Sequence, residues 1–85
     1  MSTEERIARI FRETLSVEVP SPTTDIIEAG LLDSLALVTL LFELESEFGV
    51  AITLEHLDVE QLRTIERIAA LVDSRVGEGE RGLRP

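Results

Sequence analysis

The sequence predicts an all-α fold, a four-helix bundle in which the third helix is short and a long loop joins the first two. Apolar residues recur at helical spacing in three separate segments, and a capping residue precedes each of them. No segment alternates apolar and polar residues as a half-buried strand does. With 85 residues, the chain is large enough for one domain with a single modest core.

The first predicted helix covers about residues 3–15. Ser2, followed three residues later by Glu5, has the pattern of a capping box, in which two side chains satisfy free N–H groups at a helix start. The apolar residues of this segment follow at helical spacing and predict one buried face: Ile7, Ile10, Phe11 and Leu15.

A long loop is predicted after the first helix. Pro20 and Pro22 end any helix, because proline lacks an N–H donor and biases the preceding residue toward extended backbone. The connection then runs roughly seventeen residues to Leu32, which is longer than a structureless loop in a compact domain. We therefore expect it to pack on the core through its apolar residues: Ile26, Ile27, Leu31 and Leu32.

The second predicted helix runs from Ser34 to about Phe48, with Asp33 as its N-cap and Gly49 as the left-handed residue that ends it. At about 100° per residue, its apolar positions fall into two groups. One group contains Leu37, Leu40, Leu41, Leu44 and Phe48, and the other contains Leu35, Val38 and Phe42. Either the helix is central and buried nearly all round, or the second group is an exposed strip for another protein. The sequence leaves both alternatives open.

Two further helices complete the prediction. Asp58 and Gln61 can cap a short third helix at about 58–62, and Thr64 caps a fourth that runs to about residue 76. The apolar residues expected to extend the core here are Ile52, Leu54, Leu57, Ile65, Ile68, Ala69, Val72 and Val76. We expect residues 1–76 to form the domain and residues 77–85, which have little to bury, to be a disordered tail.

Acidic residues dominate the middle of the chain. The formal net charge is −9, and Glu13 to Leu62 contains eleven acidic residues without one Lys or Arg. Nucleic acid is therefore an improbable partner, and proteins with basic surfaces are the expected ones. The alternative is that the charge serves only solubility.

Composition also bounds the location of the protein. The chain has no Cys, so it forms no disulfide and no thiolate metal site. Its first residues alternate charged and apolar types, unlike a signal peptide or a membrane span. We expect a cytoplasmic monomer that does not insert into membranes.

The segment Gly30-Leu31-Leu32-Asp33-Ser34-Leu35 carries the candidate site. With Asp33 as the N-cap, Ser34 occupies the first helical position and its hydroxyl is not needed for capping. A phosphate ester on that hydroxyl would face free N–H groups and the positive end of the helix dipole. The segment therefore suits a covalently attached phosphodiester.

From about residue 3 to residue 76, the chain resembles the acyl and peptidyl carrier proteins. The likeness rests on the order of the helices, the proline-containing loop, the Gly-Leu-Leu-Asp-Ser-Leu segment and the Glu-Phe-Gly-Val sequence that ends the second helix. It implies that a phosphopantetheinyl transferase, the carrier-protein synthase, transfers 4′-phosphopantetheine from coenzyme A to Ser34, with Asp33 helping to present the serine. The arm then holds an acyl or aminoacyl group as a thioester. A loading ligase and downstream enzymes are the implied partners.

Two departures bear on the branch of the family. Fatty-acid carriers usually have acidic residues two and five positions after the serine, where this chain has Ala36 and Thr39. A free-standing carrier of specialised polyketide or nonribosomal-type metabolism is therefore the first expectation, and a fatty-acid or D-alanyl carrier is the alternative. The eight Arg and absent Lys suggest a GC-rich genome, which argues mildly against the D-alanyl group.

Six residues of the second helix are predicted to bind partner enzymes. Leu35, Val38 and Phe42 would supply apolar contact, and an acidic face would supply charge for basic docking surfaces: Glu43, Glu45 and Glu47. These glutamates lack the spacing of a calcium-binding loop, so no metal site is expected.

The sequence gives less support to two other functions, a serine hydrolase and an unmodified interaction module. A serine hydrolase needs a base and an oxyanion hole, and the only candidate base, His56, is expected to be a surface residue in a link. We therefore expect a carrier that is not an enzyme. In the other alternative, an unmodified helical interaction module, Ser34 serves only as a cap and the apolar strip binds a partner helix.

Overall fold

Helices make up the regular structure of the chain. The computed structural model describes residues 2–52, 55 and 57–83, so the predictions for Leu54 and His56 fall outside the described residues. Its elements are α1 (Thr3–Glu13), α2 (Ser34–Phe48), a short 3-10 helix (Val59–Leu62) and α3 (Ile65–Leu83). The predicted all-α class is confirmed, and the four predicted helices are three α-helices and one 3-10 turn.

α1 begins with the predicted capping box. The Glu5 amide donates to the Ser2 hydroxyl at 3.1 Å, and the Ser2 amide donates to the Glu5 carboxylate at 3.2 Å. The helix ends at Glu13, two residues before the predicted end, because Ser16 adopts a left-handed φ of 56° that cannot continue a helix. The buried residues of α1 lie on one face, as predicted: Ile7, Ile10 and Phe11.

The two apolar groups of α2 have different environments. Leu40 and Leu44 are fully buried and Leu41 nearly so, and Leu37 and Phe48 pack beside them against the core. The second group is exposed, with 77% of Leu35, 55% of Val38 and 69% of Phe42 accessible. Gly49 ends the helix in the left-handed conformation, with φ 69°. The structure therefore selects the exposed strip over the centrally buried helix.

The long loop packs on the core, as predicted. Ile26 is fully buried, and its amide donates to the carbonyl of Arg63 at 2.8 Å. The amide of Glu66 donates to the carbonyl of Pro22 at 3.0 Å, so the loop is fastened to the start of α3 at two backbone positions. The other apolar residues of the loop are partly buried against the core: Ile27, Leu31 and Leu32.

The caps predicted at Asp58 and Thr64 are present, whereas the Gln61 side chain makes no capping hydrogen bond among the described residues. Asp58 accepts from the Glu60 amide at 3.0 Å at the start of the 3-10 helix, and Thr64 accepts from the Arg67 amide at 3.1 Å in the first turn of α3. α3 runs to Leu83, so the predicted end near residue 76 is wrong. The apolar face indeed ends near Val76, but backbone elongation adds one hydrogen bond per residue and needs no buried face. The domain boundary at residue 76 stays a prediction.

The core contains residues from all four elements and the loop. It comprises Ile7, Ile10, Phe11, Ile26, Leu40, Leu44, Leu62, Ile65, Ile68, Ala69, Leu71 and Val72. In the stretch that the structure describes, no helix combines the length and apolar character needed to cross a bilayer.

An ion pair reinforces the fastening of the loop. The Arg63 guanidinium donates to the Asp25 carboxylate at 2.9 Å, and that carboxylate also accepts from the Glu28 amide at 2.9 Å. The Glu28 hydrogen bond, followed by that of Arg63, holds the pKa of Asp25 below its ordinary value of 3.8. A lowered carboxyl pKa stabilises the fold above the ordinary pKa, and this stability is lost as the pH falls through the folded-state value.

We predict that Asp25→Asn unfolds at lower urea concentration than wild type near neutral pH, because Asn keeps the Glu28 contact but loses the charge that Arg63 binds. The difference should shrink as the pH falls below 3.8 toward the lowered pKa of the folded protein, because the wild-type carboxylate then becomes neutral in the folded state as well. Urea denaturation of both proteins between about pH 7 and pH 3 measures it. A difference that stays constant over this range would mean that the ion pair does not contribute.

Candidate functional site

Asp33 fixes the start of α2. Its backbone is extended, with φ −92° and ψ −179°, and its carboxylate accepts from the Ala36 amide at 2.7 Å. The carbonyl of Asp33 accepts from the Leu37 amide at 2.8 Å, which is the first hydrogen bond of the helix. The predicted N-cap is confirmed, and Ser34 is the first residue of α2.

The Ser34 side chain is available for chemistry. Ser34 is exposed, and among the described residues no hydrogen bond engages its hydroxyl or the backbone N–H groups of Ser34 and Leu35. The two free N–H groups stand at the positive end of the helix dipole, where an anion is stabilised. The hydroxyl therefore has both the access and the electrostatic surroundings that a phosphodiester requires.

A small apolar recess adjoins Ser34. It has a volume of about 180 Å³ and lies between the loop, the start of α2 and the 3-10 helix. Its lining residues are Ile27, Leu32, Asp33, Ser34, Leu37, Val59 and Leu62. The sequence does not predict the recess, because Val59 and Leu62 are distant from Ser34 in the chain and only the tertiary fold brings them together.

The exposed strip of α2 begins beside Ser34. It consists of Leu35, Val38 and Phe42, and we call it the apolar strip. Three large apolar side chains on one exposed helix face form a continuous patch, since residues three and four apart are neighbours on a helix. Thr39 leaves its hydroxyl turned to the helix backbone, where it donates to the Leu35 carbonyl at 3.0 Å. The strip is thus available for another protein to cover.

The three predicted docking glutamates do not form one acidic face. Residues two apart on a helix point in different directions, and Glu43 and Glu47 line a cleft against α1 that Glu45 does not reach. Glu45 is exposed and, three residues after Phe42, lies on the side of the apolar strip. The prediction of a single acidic face is therefore corrected to one glutamate at the strip and two toward α1.

Glu47 is bound within the chain. The Arg6 guanidinium donates to its carboxylate at 2.8 Å and to its backbone carbonyl at 3.2 Å. The same guanidinium lies 4.3 Å from the centre of the Phe48 ring, which adds a cation–π contact. Glu47 thus joins the end of α2 to α1, and its role in docking stays a prediction.

The fold and the site define a class of protein, a small helical domain that presents an exposed serine at the start of a helix. The family described as "Phosphopantetheine attachment site" matches residues 5–72. The chain belongs to this family of carrier proteins, whose attached group is 4′-phosphopantetheine.

Three similar curated proteins are each named as a D-alanyl carrier protein. The D-alanyl carrier protein of Leuconostoc mesenteroides is 31% identical over 78 residues, which are 91% of this chain and 100% of the relative. The D-alanyl carrier protein of Lactococcus lactis subsp. cremoris is 34% identical over 68 residues, which are 80% of this chain and 77% of the relative. That of Streptococcus pyogenes is 31% identical over 74 residues, which are 86% of this chain and 94% of the relative.

We predict that Asp33→Ala lowers the free energy of unfolding by about 0.5 to 2 kcal/mol, because it leaves the Ala36 amide without its cap. Asp33→Asn is the matched control, since asparagine caps helices about as well as aspartate but carries no charge. Urea denaturation of both variants measures the difference. Equal stability of the alanine variant and wild type would contradict the capping role.

Proposed function

We propose that this protein is a non-catalytic carrier whose 4′-phosphopantetheine arm is attached to Ser34. The observation that carries the proposal is the exposed hydroxyl at the first residue of α2, which no described residue binds and which lies within the part of the chain that matches the family. When attached, the arm supplies a terminal thiol that holds the cargo as a thioester. A cytoplasmic location and a monomeric state stay predictions.

The residues around Ser34 have separate roles in the proposed attachment. The Asp33 carboxylate caps the start of α2, so the Ser34 hydroxyl is not needed for the hydrogen bonds of the helix. The free N–H groups of Ser34 and Leu35 favour the negative charge of a phosphodiester. In this proposal the carboxylate of Asp33 also presents the serine to a basic surface of the phosphopantetheinyl transferase.

Partner enzymes are proposed to recognise the apolar strip. Leu35, Val38 and Phe42 offer apolar area that only another molecule can bury, and Glu45 is the glutamate beside them. Burial of apolar surface is not screened by salt, whereas attraction between exposed charges is. A partner with an apolar groove and a basic residue opposite Glu45 fits this surface.

The proposed cargo is a small aminoacyl group, and D-alanine is the first to test. The three relatives described above are all named D-alanyl carrier proteins, and the first is matched over its full length. The shared name of these relatives outweighs the argument against a D-alanyl carrier that was drawn from the eight Arg and absent Lys. The recess beside Ser34, about 180 Å³, is small, which supports a small group as the first cargo to test.

A short acyl group of a specialised pathway is the second candidate. The observation that favours it is the lining of the recess, in which five of the seven residues are apolar side chains. An aminoacyl group carries an ammonium that an apolar recess would not stabilise. Loading assays with D-alanine and with a short acyl donor distinguish the two.

We predict that Ser34→Ala remains folded but is not modified when incubated with coenzyme A and a phosphopantetheinyl transferase, because Asp33 still caps the helix and the acceptor hydroxyl is gone. Ser46→Ala is the matched control, because Ser46 is also an exposed serine of α2. Intact mass spectrometry measures the modification. A full mass increment on the Ser34→Ala variant would disprove the assignment.

We also predict that Phe42→Ala weakens the interaction with the transferase by about 2 kcal/mol at every salt concentration, because it removes apolar contact area. Glu45→Gln should have a smaller effect that fades as salt is added. Glu47→Gln is the control for charge, since its carboxylate is already bound by Arg6.

The measurement is the Michaelis constant for the carrier as a function of salt, with circular dichroism to show that each variant is folded. If Phe42→Ala behaves like wild type while Glu47→Gln impairs modification, the apolar strip is not the docking surface.

A further inference from the structure

The recess beside Ser34 has two walls from distant parts of the chain. Ile27 and Leu32 form the loop wall, and Val59 and Leu62 form the wall of the 3-10 helix. The two walls are not consecutive in sequence, so the width of the recess depends on contacts that hold the loop to the 3-10 helix.

One side chain makes such a contact. Arg63 directly follows the 3-10 helix, and its guanidinium donates to Asp25 in the loop at 2.9 Å. The same guanidinium donates to both carboxylate oxygens of Glu60 in the 3-10 helix, at 2.8 Å and 3.0 Å. The planar fork of arginine holds Glu60 through two donors and Asp25 through a third in one fixed geometry, which the compact ammonium of lysine on its flexible stem does not reproduce.

The two ends of this contact are not equally dependent on Arg63. Glu60 is also bound by Arg67, which donates to its carboxylate and its carbonyl at 3.2 Å, so the 3-10 helix stays joined to α3 without Arg63. Asp25 has no second basic partner among the described residues. Asp25 precedes Ile26, which is fully buried, and Ile27, which lines the loop wall.

We propose that Arg63 is a positioning residue that sets the width of the recess beside Ser34 by holding the loop wall to the wall of the 3-10 helix. The hydrogen bond from the Glu66 amide to the Pro22 carbonyl keeps the loop on the core when the ion pair is lost, so the effect is local opening around Ile26 rather than unfolding. The consequence for recognition by the transferase rests on the proposed function. When the recess opens, the arrangement around Ser34 that the transferase recognises is populated for only part of the time.

Amide hydrogen exchange of the unmodified chain tests the proposal. In Arg63→Gln, the amides of Ile26 and Leu31 should exchange about fivefold or more faster than in wild type, relative to amides in the middle of α1 and α2. Asp25→Asn should have the same effect, and the double variant should add nothing, because the two residues form one contact. Arg63→Lys should restore only part of the protection.

Arg67→Gln is the matched control, since Arg67 also binds Glu60 but does not reach the loop. It should leave the exchange of Ile26 and Leu31 unchanged. Equal acceleration of all amides in Arg63→Gln would show general destabilisation and overturn the proposal, as would loop amides that respond to Arg67→Gln as strongly as to Arg63→Gln.

Transferase kinetics supply a second measurement. If only a fraction of the carrier molecules has the recognised arrangement, the apparent affinity of the transferase for the carrier is multiplied by that fraction. Arg63→Gln should therefore raise the Michaelis constant for the carrier about threefold, with kcat nearly unchanged. Unchanged kinetic constants would overturn the link between the recess and partner recognition. A wild-type chain that is not modified at all would instead refute Ser34 as the attachment residue, and the exchange result would still stand.

Discussion

The core can bury only one of the two apolar faces of α2, and the candidate site depends on this constraint. Leu40 and Leu44 are fully buried, so the helix cannot rotate without exposing them. This fixes Leu35, Val38 and Phe42 on the outside and places Ser34 at the exposed start of the same helix. Burying a leucine side chain stabilises a protein by about 1.5–3 kcal/mol, which is large beside the total stability of a small domain. The apolar strip is therefore exposed because the alternative orientation of α2 would remove Leu40 and Leu44 from the core.

The distribution of charge explains which residues bind the acidic middle of the chain to the rest of the fold. Because Glu13 to Leu62 contains no Lys or Arg, its carboxylates can pair only with arginines from outside that stretch. Arg6 of α1 binds Glu47 at the end of α2, and Arg63 binds Asp25 in the loop. The arginines therefore fasten the segment on either side of the site, while Glu45 stays beside the apolar strip.

Much of the fold was predictable because capping and helical periodicity are local properties. The capping box at Ser2, the cap at Asp33 and the left-handed Gly49 are all confirmed. The end of α3 was predicted wrongly, because loss of the apolar face does not by itself end a helix. The exposure of Phe42 could not be decided from the sequence, since a buried helix and an exposed strip have the same periodicity.

The position of Ser34 at the start of α2 was predictable from the sequence, but the surroundings of Ser34 were not. The motif places the serine at the helix start, but the recess requires residues from the loop and the 3-10 helix that no spacing rule connects. The single acidic face failed because glutamates at alternating positions diverge around a helix, and because the partner of Glu47 lies on α1. Long-range pairs of this kind are properties of the tertiary fold.

The most direct test of the central claim is to locate the modification in the wild-type protein. Cleavage after glutamate releases residues 29–43, in which Ser34 and Thr39 carry the side-chain hydroxyls. Fragmentation of this peptide by tandem mass spectrometry, after treatment with coenzyme A and a phosphopantetheinyl transferase, assigns the arm to one residue. The account predicts the phosphopantetheine mass on Ser34. The same mass on Thr39 or on another peptide would contradict it.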